Sequence, residues 1–143
     1  MEPPIHSGRP ASVTALGIFF LVGAVIAAVS CLSLSFPGGP LEPMWRLNPR
    51  ARVAFSGLGL WAVALLAVVS AACATAGVGL FLGRRWGHRL ALGLLVFNLL
   101  GDVLNTVLGT EPRAIVGVPI AGALVVYLWT ARVRRYFDER EEG

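Results

Sequence analysis

Three polar residues interrupt one of the most apolar parts of this chain. Asn98, Asp102 and Asn105 lie in a run dominated by apolar residues from Leu90 to Leu108. Spaced i, i+4 and i+7, they fall on one face of a helix. Together they are one carboxylate flanked by two carboxamides. Such a set can clamp two helices in register, serve a transport or proton-relay site, or act as a catalytic acid. An acid deep in a bilayer costs at least ~2.5 kcal/mol, so Asp102 must face other helices, a water-filled cavity or a cationic partner. Arg50, Arg52 and Arg113 are the partner candidates, because each falls in the first turn of an expected helix, where the macrodipole disfavours a cation. A carboxylate or a lipid phosphate offsets that penalty. The expectation is that Asp102 accepts a hydrogen bond from Asn98 or Asn105 and pairs with Arg113, Arg50 or Arg52. A polar clamp fixing helix register is the leading reading, ahead of a transport or proton-relay site and of a catalytic acid.

Other familiar chemistry lacks its residues. The only histidines are His6 and His88, one expected in the N-terminal tail and one in a loop, so no pair is placed to hold a haem inside the membrane. No cluster has metal-ligand spacing, and neither a glycine-rich phosphate loop nor a Ser-His-Asp arrangement is present. No cofactor and no catalytic residue is therefore expected. The two cysteines, Cys31 and Cys73, form no C-x-x-C motif. Their expected depths differ by about 15 Å at 1.5 Å rise per residue, too far for a disulfide. Ala28-Val29-Ser30-Cys31 loosely fits a lipoprotein cleavage box. However, the apolar run before it exceeds a typical signal h-region of roughly 7–15 residues and continues past Cys31, so an uncleaved span is expected.

The elements that must position the polar stripe are legible in the composition. Of 143 residues, 56% are hydrophobic and only 14% charged, against about 25% charged in a typical soluble domain; mean hydropathy is +0.73. Four runs approach the roughly 20 apolar residues that a membrane helix needs: about Ala11–Phe36, Val53–Leu82, Leu90–Leu108 and Ala114–Ala131. Backbone groups must pair internally in lipid, and nothing here alternates with a strand's period. The expected fold is all-α: a single membrane domain, a four-transmembrane-helix bundle of up-down topology, with short tails at 1–9 and 132–143. Pro10, Pro49 and Pro112 suit helix starts, Asn48 and Thr110 suit caps, and Gly109 suits a helix end.

All twelve basic residues are arginine, and they cluster at the ends of the apolar runs, giving a net charge of +4. That pattern fits lipid phosphate and topology signals better than nucleic acid. Arg9, Arg84, Arg85, Arg89, Arg132, Arg134, Arg135 and Arg140 fall on the side of the termini, against Arg46, Arg50, Arg52 and Arg113 opposite. The excess predicts both termini in the cytoplasm. Trp45, Arg84, Arg85 and Trp86 are expected as interfacial anchors, and the tail beyond Arg132 as a frayed helix end. Small residues at four-residue spacing mark expected helix contacts: Gly23, Ala27 and Cys31; Ser70 and Ala74; Cys73 and Gly77; Gly117 and Ala121; in the third run Gly93 and Gly101 are two turns apart. Pro119 is placed to kink the last span.

Several of these segments occur together in a wider pattern. Arg9-Pro10-x-x-Val13-Thr14-Ala15-Leu16, Leu41-x-Pro43-x-Trp45-Arg46-Leu47-Asn48-Pro49, Gly83-Arg84-x-Trp86-Gly87-x-Arg89-Leu90-Ala91 and Asn98-x-x-Gly101-Asp102 resemble an uncharacterised family of small bacterial four-helix integral membrane proteins. The resemblance covers most of the chain, from Arg9 to Arg135. It implies a place in the bacterial inner membrane and brings no assigned activity. The expected role is non-enzymatic: an accessory or interaction component in the lipid bilayer, associating with itself or another membrane protein. The alternative is a small transporter or channel with its polar site around Asp102.

Overall fold

A computed structural model of the chain describes residues 9–108 and 114–139. The described residues are helical, with no strand: α1 (Ala11–Ser35), a 3-10 turn (Glu42–Arg46), α2 (Pro49–Leu58), α3 (Leu60–Phe81), α4 (Arg85–Val107), α5 (Ala114–Trp129) and α6 (Ala131–Glu139). Helices α1, α3 and α4 are each long and apolar enough to cross a membrane; α5 and α6 together form a bent pair that could be a fourth span. These helices are compatible with a membrane location. Gly109, Thr110, Pro112 and Arg113 lie outside the described residues.

Two helix starts follow directly from their prolines. The Pro10 carbonyl accepts from the Val13 N–H at 2.9 Å, opening α1. Pro49 holds the first position of α2, and the Asn48 side chain accepts from the Ala51 N–H at 3.1 Å, satisfying one of the amides a helix start leaves unpaired.

Three boundaries differ from expectation. The run 53–82 is not one helix: α2 and α3 part at Gly59, with φ 56° and ψ −130°, a conformation that glycine adopts without strain. Helix α4 begins at Arg85 instead of Leu90. Gly83, at φ 65°, ends α3 with paired bonds from Arg84 N–H to the Gly79 carbonyl (3.0 Å) and from Gly83 N–H to the Leu80 carbonyl (3.1 Å). This is the 6→1 and 5→2 arrangement of a glycine-ended helix. The connection shrinks to Leu82–Arg84, and His88 and Arg89 become helical. Finally, the segment after Arg132 is not frayed. It forms α6, bent 53° from α5 at Thr130, and buries Val133, Tyr136 and Phe137. The bend falls there and not at Pro119, which α5 carries inside a continuous helix.

The helices pack as two pairs, α1 with α3 and α4 with α5, and α3 also contacts α4. Against α3, α1 presents Val13, Gly17, Phe20, Ala24 and Ala27, close to a 3.5-residue repeat. Glycine permits the approach. A β-carbon at Gly17 would lie 2.8 Å from the Phe81 ring, and one at Gly77 3.0 Å from Leu21. The Ser70 hydroxyl donates across this seam to the Ala24 carbonyl at 2.8 Å. Helices α3 and α4 come closest where Gly79 meets Gly87: a β-carbon on Gly79 would sit 2.5 Å from the Gly87 Cα. Gly23, Gly93 and Gly101, expected at helix contacts, instead face open space, with nothing within 4 Å of an added β-carbon. Cys31 donates to the Val63 carbonyl at 3.4 Å, ten residues before Cys73, or about 15 Å along α3; both cysteines are free.

One core cluster joins the starts of α1 and α4 to the ends of α3 and α5 and to α6, through Val13, Leu80, Ala91, Leu128, Val133 and Phe137. This end of the molecule is tied further by the Ser12–Tyr127 hydroxyl pair and by the Arg9 guanidinium over the Phe81 ring, 5.2 Å from its centroid.

Candidate functional site

From the Gly79–Gly87 contact, α3 and α4 continue along separate walls of a cavity of about 520 Å³. Phe19, Phe20 and Gly23 of α1 and Val69 and Cys73 of α3 form one side. Gly117, Ile120, Ala121 and Leu124 of α5 form another. Between them runs the face of α4 carrying Leu94, Asn98, Gly101, Asp102 and Asn105. The helical spacing that aligned Asn98, Asp102 and Asn105 thus aims all three into one cavity.

Within it, the Asn98 amide nitrogen donates to Asp102 Oδ2 at 3.1 Å. Both residues are on α4, one turn apart, so this bond orients the carboxylate without joining helices. Asp102 is half-buried, whereas Asn98 and Asn105 are exposed. The carboxylate lies against the α5 backbone at Gly117, where a β-carbon would collide with it. Gly117 belongs to the first turns of α5, where the helix dipole favours a negative charge. Gly117 therefore acts through its missing side chain, bringing α5 close enough to contact the acid.

Arg50 and Arg52 lie elsewhere. Arg52 is ion-paired with Glu42, which also accepts from the Gly38 N–H at 3.4 Å. Arg50 is exposed on the first turn of α2, and Arg113 lies outside the described residues. Among the described residues no cation reaches the Asp102 carboxylate. The 3-10 turn packs against α2, with the Trp45 and Phe55 rings 6.2 Å apart.

The expected interfacial anchors divide. Trp45 is only 6% exposed, and its indole N–H donates to the Ser33 hydroxyl at 2.9 Å, so it plugs the packing beside α1 instead of standing at headgroup level. Arg84 and Trp86 are exposed, although one edge of the Trp86 ring fills the space beside Gly79. Arg85 reaches α6: its Nε meets Asp138 Oδ1 at 3.0 Å, and its guanidinium donates to the Asp138 carbonyl at 3.3 Å. His88 lies 2.9 Å through Nε2 from the Leu128 carbonyl, a group near the bend between α5 and α6, and its ring lies 4.9 Å from that of Phe137.

Residue types and spacing did not single out Phe19, Phe20, Phe97 or Gly117 as one site, because they come from three helices. The signal available was Gly117 within a small-residue pair, which specified proximity to another helix but not to Asp102. No protein-family model, no curated protein and no solved structure matches this chain.

Chemically, the cavity offers one oriented carboxylate, two carboxamides and apolar and aromatic walls. That set can bind and neutralise a cationic or hydrogen-bond-donating group. Among the described residues no three or more His, Cys, Asp and Glu side chains converge as metal ligands.

Proposed function

We propose that this chain is a small multi-pass protein of the bacterial cytoplasmic membrane, a four-helix up-down bundle in which α5 and α6 together make the fourth span. Both termini lie in the cytoplasm. It works without catalysis, as an accessory or interaction component associating with itself or with another membrane protein. The arginine distribution supports the orientation: Arg9, Arg84, Arg89, Arg132, Arg134 and Arg135 are all exposed around the end at which α3 and α5 finish and α1 and α4 begin. Labelling of single cysteines near each terminus with a membrane-impermeant maleimide tests this, and labelling of intact cells from outside would refute it.

The observation that carries the interaction role is the outer surface of α4. Leu100, Leu104 and Val107 are exposed there, beside Phe97, Asn98 and Asn105 at the open rim of the cavity. Exposed polar side chains are rare on a lipid-facing helix surface, so a protein neighbour suits this mixed surface better. The test is purification in mild detergent with mass determined by light scattering. A self-associated chain or a stoichiometric companion is expected; a lone monomer overturns the role.

The cavity supports a second reading, a small transporter or channel that takes its ligand at Asp102. Flux in proteoliposomes, lost in Asp102→Asn with the helices intact, is its expected signature.

A further inference from the structure

We propose that the cavity around Asp102 binds a small apolar organic monocation, such as an aryl- or alkyl-substituted ammonium or phosphonium, with the Asp102 carboxylate as counter-ion. This rests on the second reading above, in which the cavity takes a ligand, and names the class of that ligand.

Charge is the first argument. A carboxylate at this depth is costly without a compensating positive charge, and no cation among the described residues supplies one. Asn98 holds Oδ2 from one side at 3.1 Å, leaving the carboxylate oriented toward the cavity that Asp102 lines. Phe19, Phe20 and Phe97 line the same space. Aromatic faces attract organic cations and also accommodate their apolar substituents. A calcium or magnesium ion fits poorly by contrast, since it demands six or more oxygen ligands or a retained water shell.

Size is the second argument. About 520 Å³ lies within the roughly 300–1,000 Å³ of small-molecule sites. The lining comes from α1, α3, α4 and α5, so a compact occupant beside Asp102 would touch all four helices.

The third argument is what keeps the space empty of side chains. Gly23 on α1 and Gly101 on α4 line the cavity, and a β-carbon added at either would have no neighbouring element within 4 Å. No close approach of neighbouring backbone requires glycine at these positions. Glycine is a poor choice inside a helix, and here its effect is to leave the cavity unfilled.

The test is equilibrium binding of radiolabelled tetraphenylphosphonium to the full chain in lipid nanodiscs, with empty nanodiscs as the blank. Saturable binding is expected, weakened about tenfold or more by Asp102→Asn through loss of the charge pair and retained in Asp102→Glu. Gly101→Leu is expected to abolish binding by filling the cavity while leaving helix content and gel-filtration profile unchanged, so it carries the test if Asp102→Asn folds poorly. Binding no greater than in empty nanodiscs overturns the proposal, as does wild-type binding in Asp102→Asn or in Gly101→Leu. The accessory role stands or falls separately, on the mass of the purified particle.

Discussion

Docking of α6 gives the sharpest prediction, because the structure identifies both a large and a small contribution to it. Phe137 is 1% exposed, its ring lies 4.9 Å from His88 and 5.1 Å from Tyr136, and it belongs to the same core cluster as Leu80 and Leu128. Truncating a buried phenylalanine to alanine costs about 3–5 kcal/mol. The Arg85–Asp138 pair is partly exposed, and such pairs contribute about 0–1 kcal/mol. In Phe137→Ala nearly the whole loss falls on the local equilibrium by which α6 leaves the assembly, since α1, α3 and α4 keep their mutual contacts. Trypsin reports that equilibrium through cleavage after Arg132, Arg134 and Arg135, which requires the helix to open. When opening is fast relative to cleavage, the rate follows the open population, so 3–5 kcal/mol predicts an increase of roughly two to nearly four orders of magnitude. Asp138→Asn should change it by less than about fivefold. The assay is limited proteolysis of the nanodisc-embedded chain, with fragments followed by mass spectrometry. Unchanged cleavage in Phe137→Ala together with faster cleavage in Asp138→Asn would refute the reasoning and make the ion pair the principal attachment.

Three further outcomes follow from particular contacts. Trp45→Phe removes the indole donor and leaves the buried Ser33 hydroxyl without its partner at 2.9 Å, which should lower stability by about 1–3 kcal/mol; thermal unfolding in detergent measures it, and an unchanged melting temperature opposes the buried placement of Trp45. Gly87→Leu pushes a side chain into the Gly79 backbone and should destabilise by about 1–3 kcal/mol or more, read by the same melt, whereas Gly93→Leu, meeting open space, should not. Gly117→Ala drives a methyl group into the Asp102 carboxylate; combined with Asp102→Ala, the two losses should be non-additive by about 0.5–3 kcal/mol, and strict additivity would separate the two residues.

Local chemistry determined much of what could be read along the chain. Pro10, Pro49 and Asn48 mark helix starts because their effects act within one turn, and the lengths of the apolar runs distinguish membrane-scale helices from loops. The one-faced spacing of Asn98, Asp102 and Asn105 depends only on helical geometry. Gly59 and Gly83 broke or ended helices inside apolar stretches, where hydropathy has no power to distinguish a continuous helix from an interrupted one. Val133, Tyr136 and Phe137 sit among arginines and acids, so the segment looked like a solvated tail; only helical spacing of the three apolar residues, packed on α4, makes it a docked helix.

What the sequence by itself determined is the set of apolar helices and the polar stripe of α4, because helix formation and face alignment arise from neighbours within a few residues. Tertiary structure decided which groups meet that stripe. Asp102 lies against Gly117, not beside Arg50 or Arg52, because two glycines bring α3 and α4 together at Gly79 and Gly87 and a third allows α5 to reach the acid. Arg52 goes to Glu42 because the 3-10 turn that carries Glu42 packs against α2. Such pairings depend on how separate helices are spaced and rotated, and backbone approach at glycine sets that spacing through an absence of atoms that no single helix reveals.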